Sequence, residues 1–349
     1  MKAMKYIVLI LIIMGIALVG GLVLTQKRSQ TIIPDAATSS QQTALLSSSI
    51  DVQNPTSSAT LSAVITTSSV TSAAPTVVAT STATTTKTDV SLSGAVQFSN
   101  IMPSQGETVR IDIPEHFTGV TVTFDGKNMP VFTYEGERHA LLPIKAQETE
   151  GAHAVVVTAV GEKNYSKTIM VRNGNFPVVA LGIPAKLDVT PAELVQGLEK
   201  ENADINALVA RVTPRLFFTK GFGLPLADNT KIGSRYGEIR KTGNQVIYHM
   251  GVDFEGKEGD SIAAMNDGVV REAQKTRLYG NIVIIDHGEG IYTMYLHLKT
   301  ILISVGAHVH RGQVIGVMGQ TGYATGPHLH LSIKVNGISV DPLKFIKVF

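Results

Sequence analysis

From Ile232 to Phe349 the chain offers no helix-length apolar periodicity, and glycines stand at nearly every corner. Its apolar runs are short: Gly268-Val-Val-Arg-Glu-Ala273, Asn281-Ile-Val-Ile-Ile-Asp286, Tyr292-Thr-Met-Tyr-Leu-His-Leu298, Val314-Ile-Gly-Val-Met318 and His328-Leu-His-Leu-Ser-Ile-Lys334. Parallel strands need crossovers of a dozen or more residues, usually helical, and none interrupts these runs. The C-terminal part, 227–349, is therefore expected to be a mostly antiparallel β-roll or sandwich.

Upstream, the pattern is again one of strands. Alternating apolar and polar residues mark Thr108–Ile113, Val120–Phe124, Ala154–Thr158 and Thr168–Val171, separated by turn signals such as Asp125-Gly126 and Asn173-Gly174. Short strands at this spacing predict a small immunoglobulin-like β-sandwich over 90–173. Between the two β regions, Thr190-Pro-Ala-Glu193 reads as a capping box with proline at the first helical position. Leu194, Leu198, Ile205 and Leu208 then recur at helical spacing, which predicts one amphipathic helix to about Arg211 inside a connector, 174–226. The fold class is thus mainly β, with a single connector helix.

The N-terminal quarter is different in kind. Residues 29–89 are dominated by Ser, Thr, Ala and Val, with hardly any aromatic or charged residues, and are expected to form a disordered stalk. Before them, Tyr6 to Leu24 is an unbroken apolar run flanked by Lys2, Lys5 and Lys27-Arg28. As a helix it would rise about 28 Å, enough to cross a bilayer's hydrocarbon core. It exceeds the apolar region of a cleavable signal and lacks a clear cleavage site, so 1–28 is expected to be a retained transmembrane anchor. The chain contains no cysteine, which excludes disulfides, thiolate metal sites and cysteine nucleophiles. A net charge of +2 with 17% charged residues leaves no extended basic face for nucleic acid.

Chemistry concentrates in three segments. In a strand, residues two apart share a face, so His328 and His330 look into one cleft, where one can bind a metal while the other supports it. His249 and Asp253 lie four residues apart, ~13 Å along a straight strand, too far to share an ion. Gly251 between them permits a bend, and the segment is expected to turn there. Two imidazoles and a carboxylate from separated segments make the ligand set of a catalytic zinc, with a fourth position left for water. His297 could act on that water if its strand neighbours that of His328. No His-Glu-x-x-His occurs, so the helical zinc-protease scaffold is absent.

The other histidines read as bystanders. His308 and His310 repeat the His-x-His spacing but stand in a Gly-bounded connection, and they are expected to face solvent. His287, in Asp286-His-Gly288, reads as a turn residue; His116, His139 and His153 share no ligand spacing and read as surface or packing residues. Gly319-Gln-Thr-Gly-Tyr-Ala-Thr-Gly326 lacks the ending of a phosphate loop.

Taken together, Tyr248-His-Met-Gly-Val-Asp-Phe254, Tyr295-Leu-His-Leu298 and Thr321-Gly-Tyr-Ala-Thr-Gly-Pro-His-Leu-His330 resemble the lysostaphin/LytM-type zinc endopeptidases that cut peptidoglycan peptides. The resemblance runs from about Ile232 to Pro342 and includes Gly259-Asp-Ser-Ile-Ala-Ala264 and Gly312-Gln-Val-Ile-Gly316. It implies zinc ligands at His249, Asp253 and His330, and catalytic histidines at His297 and His328, without assigning which of the two is the base. It also implies a peptidoglycan peptide as substrate and an extracytoplasmic catalytic domain in the cell envelope, tethered to the membrane or secreted if the N-terminal segment is removed. A non-catalytic scaffold that activates another wall hydrolase is the rival expectation, and it would need no complete site.

Overall fold

The computed structural model describes residues 90–226 and 230–349. The expected anchor at 1–28 and stalk at 29–89 lie outside the described residues. Among the described residues no helix is long and apolar enough to cross a membrane.

The sandwich region forms two four-stranded antiparallel sheets. One runs Gln97–Phe98, Thr108–Ile113, Glu137–Pro143, Val131–Tyr134; the other runs Lys127–Met129, Thr121–Phe124, Gly151–Thr158, Tyr165–Val171. Val109, Ile111 and Ile113 alternate into the space between the sheets and meet Val155, Val157 and Ile169. The Glu137–Pro143 strand breaks the alternation, being buried at every position from His139 onward. Its Ala140 and Leu142 enter the sandwich core, whereas Leu141 joins the C-terminal core together with Phe132 and Tyr134. One sheet of the sandwich is thus covered on both faces.

Thr190 caps the Pro191–Val209 helix with both hydrogen bonds of the capping box. Ile205 and Val209 pack against Ile282, Ile284, Tyr292, Met294 and Leu296. Burying each such aliphatic side chain contributes roughly 1.5–3 kcal/mol, and packing of this kind supplies most of a helix's stability within a protein.

The sheet beneath that helix has eight strands. Its order is Ile232–Ser234, Val252–Glu255, His328–Val335, Ile291–Leu298, Asn281–Gly288, Gly268–Lys275 and His308–Val309, with Ile338–Val340 also pairing to His328–Val335. Every pairing in it is antiparallel. On its inner face Leu329, Leu331, Ile333 and Val335 are fully buried with Val252, Phe254, Tyr295 and Leu298. The Ile291–Leu298 strand is buried at all eight positions, since the helix covers one face and the inner core the other.

Two small sheets flank this one: Ser261–Ala263, Val314–Val317, Thr300–Ile301, and Gln245–Tyr248, Ile239–Thr242, Val178–Ala180. In the latter the connector strand Val178–Ala180 lies parallel to Ile239–Lys241. His287 is corrected from a turn residue to a fully buried strand residue, hydrogen-bonded to the Asp267 carbonyl and the Thr293 hydroxyl. His308 and His310 are exposed. His139 and His153 are buried against Asp112 and Asp125, and His116 is exposed.

Lys334 points under the helix with no carboxylate partner among the described residues, its Nζ donating to Asn206 Oδ1 at 3.2 Å and Ser339 Oγ at 3.1 Å. Burial pushes its pKa down from 10.5 to about 8. Below pH 8 the ammonium is charged in both states, and the folded state bears the full cost of burying it. Between pH 8 and 10.5 that cost fades as the folded protein releases its proton first. The shift corresponds to about 3 kcal/mol, against about 1–2 kcal/mol for the two hydrogen bonds. Lys334→Met is therefore expected to raise stability at pH 7, and the gain should shrink or reverse by pH 10.5. Denaturant midpoints across that range check it; a gain that grows with pH contradicts it.

Candidate metal centre

The His328–Val335 strand places its even-numbered side chains opposite Leu329, Leu331 and Ile333, so His328, His330 and Ser332 project on the outer face. Asp253 is the cross-strand partner of His330 and shares that face. His249 precedes the strand at a bend centred on Gly251. A β-carbon at Gly251 would fall 2.5 Å from His330 Nε2 and 2.7 Å from Ser332 Oγ. Only glycine lets the backbone pass this close, and the bend brings His249 back to within 2.9 Å of Asp253.

His249 Nε2, Asp253 Oδ1 and His330 Nδ1 converge. Their separations are 2.9 Å between the nitrogens, 2.9 Å from His249 to the carboxylate and 2.8 Å from His330 to it. They form the one cluster of three or more potential metal-ligating side chains among the described residues. The outer hydrogen bonds set the tautomers. His249 Nδ1–H donates to the Arg235 carbonyl at 2.8 Å, leaving a lone pair on Nε2. Ser332 donates its hydroxyl proton to the Met250 carbonyl, so its oxygen accepts from His330 Nε2–H at 2.9 Å and leaves His330 Nδ1 bare.

Two nitrogen lone pairs and a carboxylate oxygen thus point at one place, an arrangement that a cation stabilises. Tetrahedral zinc, with bonds near ~2.0–2.2 Å, would hold such atoms roughly 3.3 Å apart, a few tenths of an ångström wider than this triangle. The donor set fits zinc.

The electrostatics agree with that fit. Burial alone would raise the Asp253 carboxyl, yet its close contacts with the His249 and His330 imidazoles hold it well below the usual carboxylate range. Burial pushes His330 down to about 4 despite the neighbouring carboxylate, so it is neutral and able to ligate. The second oxygen of Asp253 accepts from Arg240 Nη2 at 2.7 Å. Arg240 sits on Ile239–Thr242, paired on one side with Gln245–Tyr248 and on the other with the connector strand. Neither Arg240 nor Ser332 was anticipated from the sequence. Ser332 follows from period two after His328 and His330; Arg240 lies three residues before Gly243 of the Gly243-Asn244 hairpin turn, which signals its strand but not its partner.

Arg240→Met is expected to weaken metal binding by about 10–100-fold, since it frees the carboxylate's outer oxygen. Competition against a chelator measures this, and unchanged affinity would remove Arg240 from the site.

His297 reaches the same cleft by a less regular route. Strict alternation would put it with Tyr295 on the inner, apolar face. Instead the pairing with Asn281–Gly288 gains one residue between Tyr295 and Leu298, and His297 adopts φ +63°. This bulge turns the imidazole outward, so that its ring centre lies 4.9 Å from that of His328 and 6.1 Å from that of His330. A left-handed histidine costs of order 1–3 kcal/mol, and Nδ1–H donating to the Thr321 carbonyl at 2.8 Å helps hold it. Burial, and then the neighbouring His328 and His330 imidazoles, push His297 well below its ordinary pKa. His328 Nδ1–H donates to the Gly326 carbonyl at 2.9 Å, and its Nε2 lies 3.8 Å from Asp253 Oδ1. In both histidines Nδ1 is committed to a carbonyl, so Nε2 is the atom free to exchange a proton.

Residues 247–342 match the profile of peptidase family M23. Peptidoglycan DD-endopeptidase ShyC of Vibrio cholerae is 43% identical over 98 residues, covering 28% of this chain and 23% of the relative. DD-carboxypeptidase/endopeptidase Mpg of Neisseria meningitidis is 36% identical over 124 residues, covering 35% of this chain and 29% of the relative. The chain therefore aligns with about a quarter of the length of these curated relatives. A solved Pseudomonas aeruginosa structure described as a peptidase M23 superposes with a TM-score of 0.54 at 26% identity, covering 71% of this chain and 96% of that one. Through residues 247–342, the chain carries a peptidase family M23 domain.

Proposed function

We propose that this protein is a zinc-dependent endopeptidase that hydrolyses amide bonds in peptidoglycan peptides. The observation that carries the reading is the convergence of His249 Nε2, Asp253 Oδ1 and His330 Nδ1, each with its outer atom already engaged, beside two histidines whose Nε2 atoms remain free. Bound zinc supplies Lewis acidity, lowering the pKa of water toward ~7 and polarising the scissile carbonyl. His297 and His328 hold and move protons at Nε2: one takes the proton of the attacking water, and the other donates to the developing oxyanion or the leaving amine. Arg240 and Ser332 keep the carboxylate and His330 in orientation.

The names of the relatives support D,D-configured peptide bonds in stem cross-links as the target. We extend the reading to an enzyme of the cell envelope, tethered by 1–28 through the stalk 29–89, with an immunoglobulin-like module at 90–173, a connector at 174–226 and the catalytic part at 227–349. Mass analysis of fragments released from defined cross-linked muropeptides tests the activity. Cleavage that a chelator stops and zinc restores supports it. A protein that binds wall equally with and without metal, and leaves it uncut, refutes it.

A further inference from the structure

Beside the cleft lies a cavity of about 330 Å³, lined by Pro184, Ala185 and Lys186 of the connector and by Gln320, Ala324 and Thr325 of the glycine-rich loop. Its loop wall is the segment that positions His328. Gly319, next to Gln320, bridges to His328 and accepts its backbone N–H at 3.1 Å. Gly326, next to Thr325, accepts His328 Nδ1–H. A group seated in this cavity is therefore one or two residues of backbone away from His328.

The connector wall is fixed to the same loop. Lys186 Nζ donates to the Gln320 carbonyl at 2.5 Å and the Tyr323 hydroxyl donates to the Gly182 carbonyl at 3.4 Å. The cavity's side chains are neutral apart from Lys186. That ammonium has three donors and spends one on Gln320, so two remain for a ligand. Neutral walls around one ammonium suit a carboxylate and do not suit a cationic residue.

Resting on the proposed peptidase reading, we propose that this cavity is a substrate-selecting subsite, in which Lys186 pairs with a carboxylate of the bound stem peptide. The connector thereby contributes to specificity as well as linkage. Stem peptides carry such a group either at the C-terminus or on the side chain of the diamino acid, and the chemistry of recognition is the same for both.

The test uses synthetic cross-linked stem peptides with both carboxylates free, with only the C-terminus amidated, or with only the diamino-acid carboxylate amidated. kcat/KM is measured for the zinc-loaded protein and for its Lys186→Met and Lys186→Arg variants. The wild type should lose about tenfold in kcat/KM on amidation of one of the two positions, the scale of one charge-assisted hydrogen bond. Which position matters identifies the source. Lys186→Met should bring that ratio close to one, and Lys186→Arg should keep it. Equal rates of the wild type on all three peptides, or a preference that survives in Lys186→Met, overturns the subsite and leaves the peptidase reading intact. Failure of the wild type to cut any of the three overturns the peptidase reading, and the subsite falls with it.

Discussion

His330→Ala is expected to empty the metal centre. The triangle of donors would lose one corner, leaving His249 Nε2 and Asp253 Oδ1, which are 2.9 Å apart. If three ligands share roughly 12 kcal/mol of binding, one contributes about 4 kcal/mol, or roughly a thousandfold in affinity. Dialysed protein should then hold little zinc by elemental analysis, and its activity should disappear with the metal. His310→Ala supplies the control, since its side chain is 83% exposed and its neighbour is Asp267 at 3.7 Å. Zinc contents that fall alike in the two variants would mean that the wrong His-x-His pair has been assigned to the ion.

Removing either free histidine should have the opposite signature. His297→Ala and His328→Ala are each expected to keep zinc and to lose hydrolysis. Loss of an acid–base group costs on the order of 10²–10⁴-fold, and loss of an oxyanion donor about 10²–10³-fold. The double variant should be little worse than the poorer single one, because groups serving one transition state are strongly non-additive. His297 needs a companion variant, since alanine inherits a backbone at φ +63°. His297→Gly relieves that strain, so a melting point at or above that of the alanine form is expected, with equal loss of activity. Metal analysis and cleavage on the same preparations decide the matter, and zinc missing from either single variant would make that histidine a ligand.

Much of this site could be read from residue order because the chemistry repeats at strand spacing. Period two put His328 and His330 on one face, and the distance between His249 and Asp253 demanded a bend where Gly251 stands. His297 was harder to read. Its position on the outer face depends on a bulge and a left-handed backbone, and neither leaves a trace in apolar periodicity. The same limit applied in the sandwich. Glu137–Pro143 was not anticipated as a strand because it is buried on both sides, which erases alternation. His287 next to Gly288 looked like a turn, but the strand continues through both. Arg240 was missed for another reason: its partner is thirteen residues away across a hairpin, and nothing in its own neighbourhood shows that it faces a carboxylate.

The connector's threading bears on how the proposed activity could be moved between proteins. It lends a strand to the sheet that carries Arg240, lays Ile205 and Val209 over Met294 and Leu296, and sends Phe218 and Phe222 into the inner core, where they meet Tyr134 and Phe349. A graft cut at residue 227 would expose that apolar sheet face to water, the kind of patch that drives association, and would leave Ile239–Thr242 with a bare edge open to foreign strands. The portable cassette begins near Phe176 instead. Even then, the aromatic socket vacated by Phe132 and Tyr134 would have to be refilled by whatever host receives it.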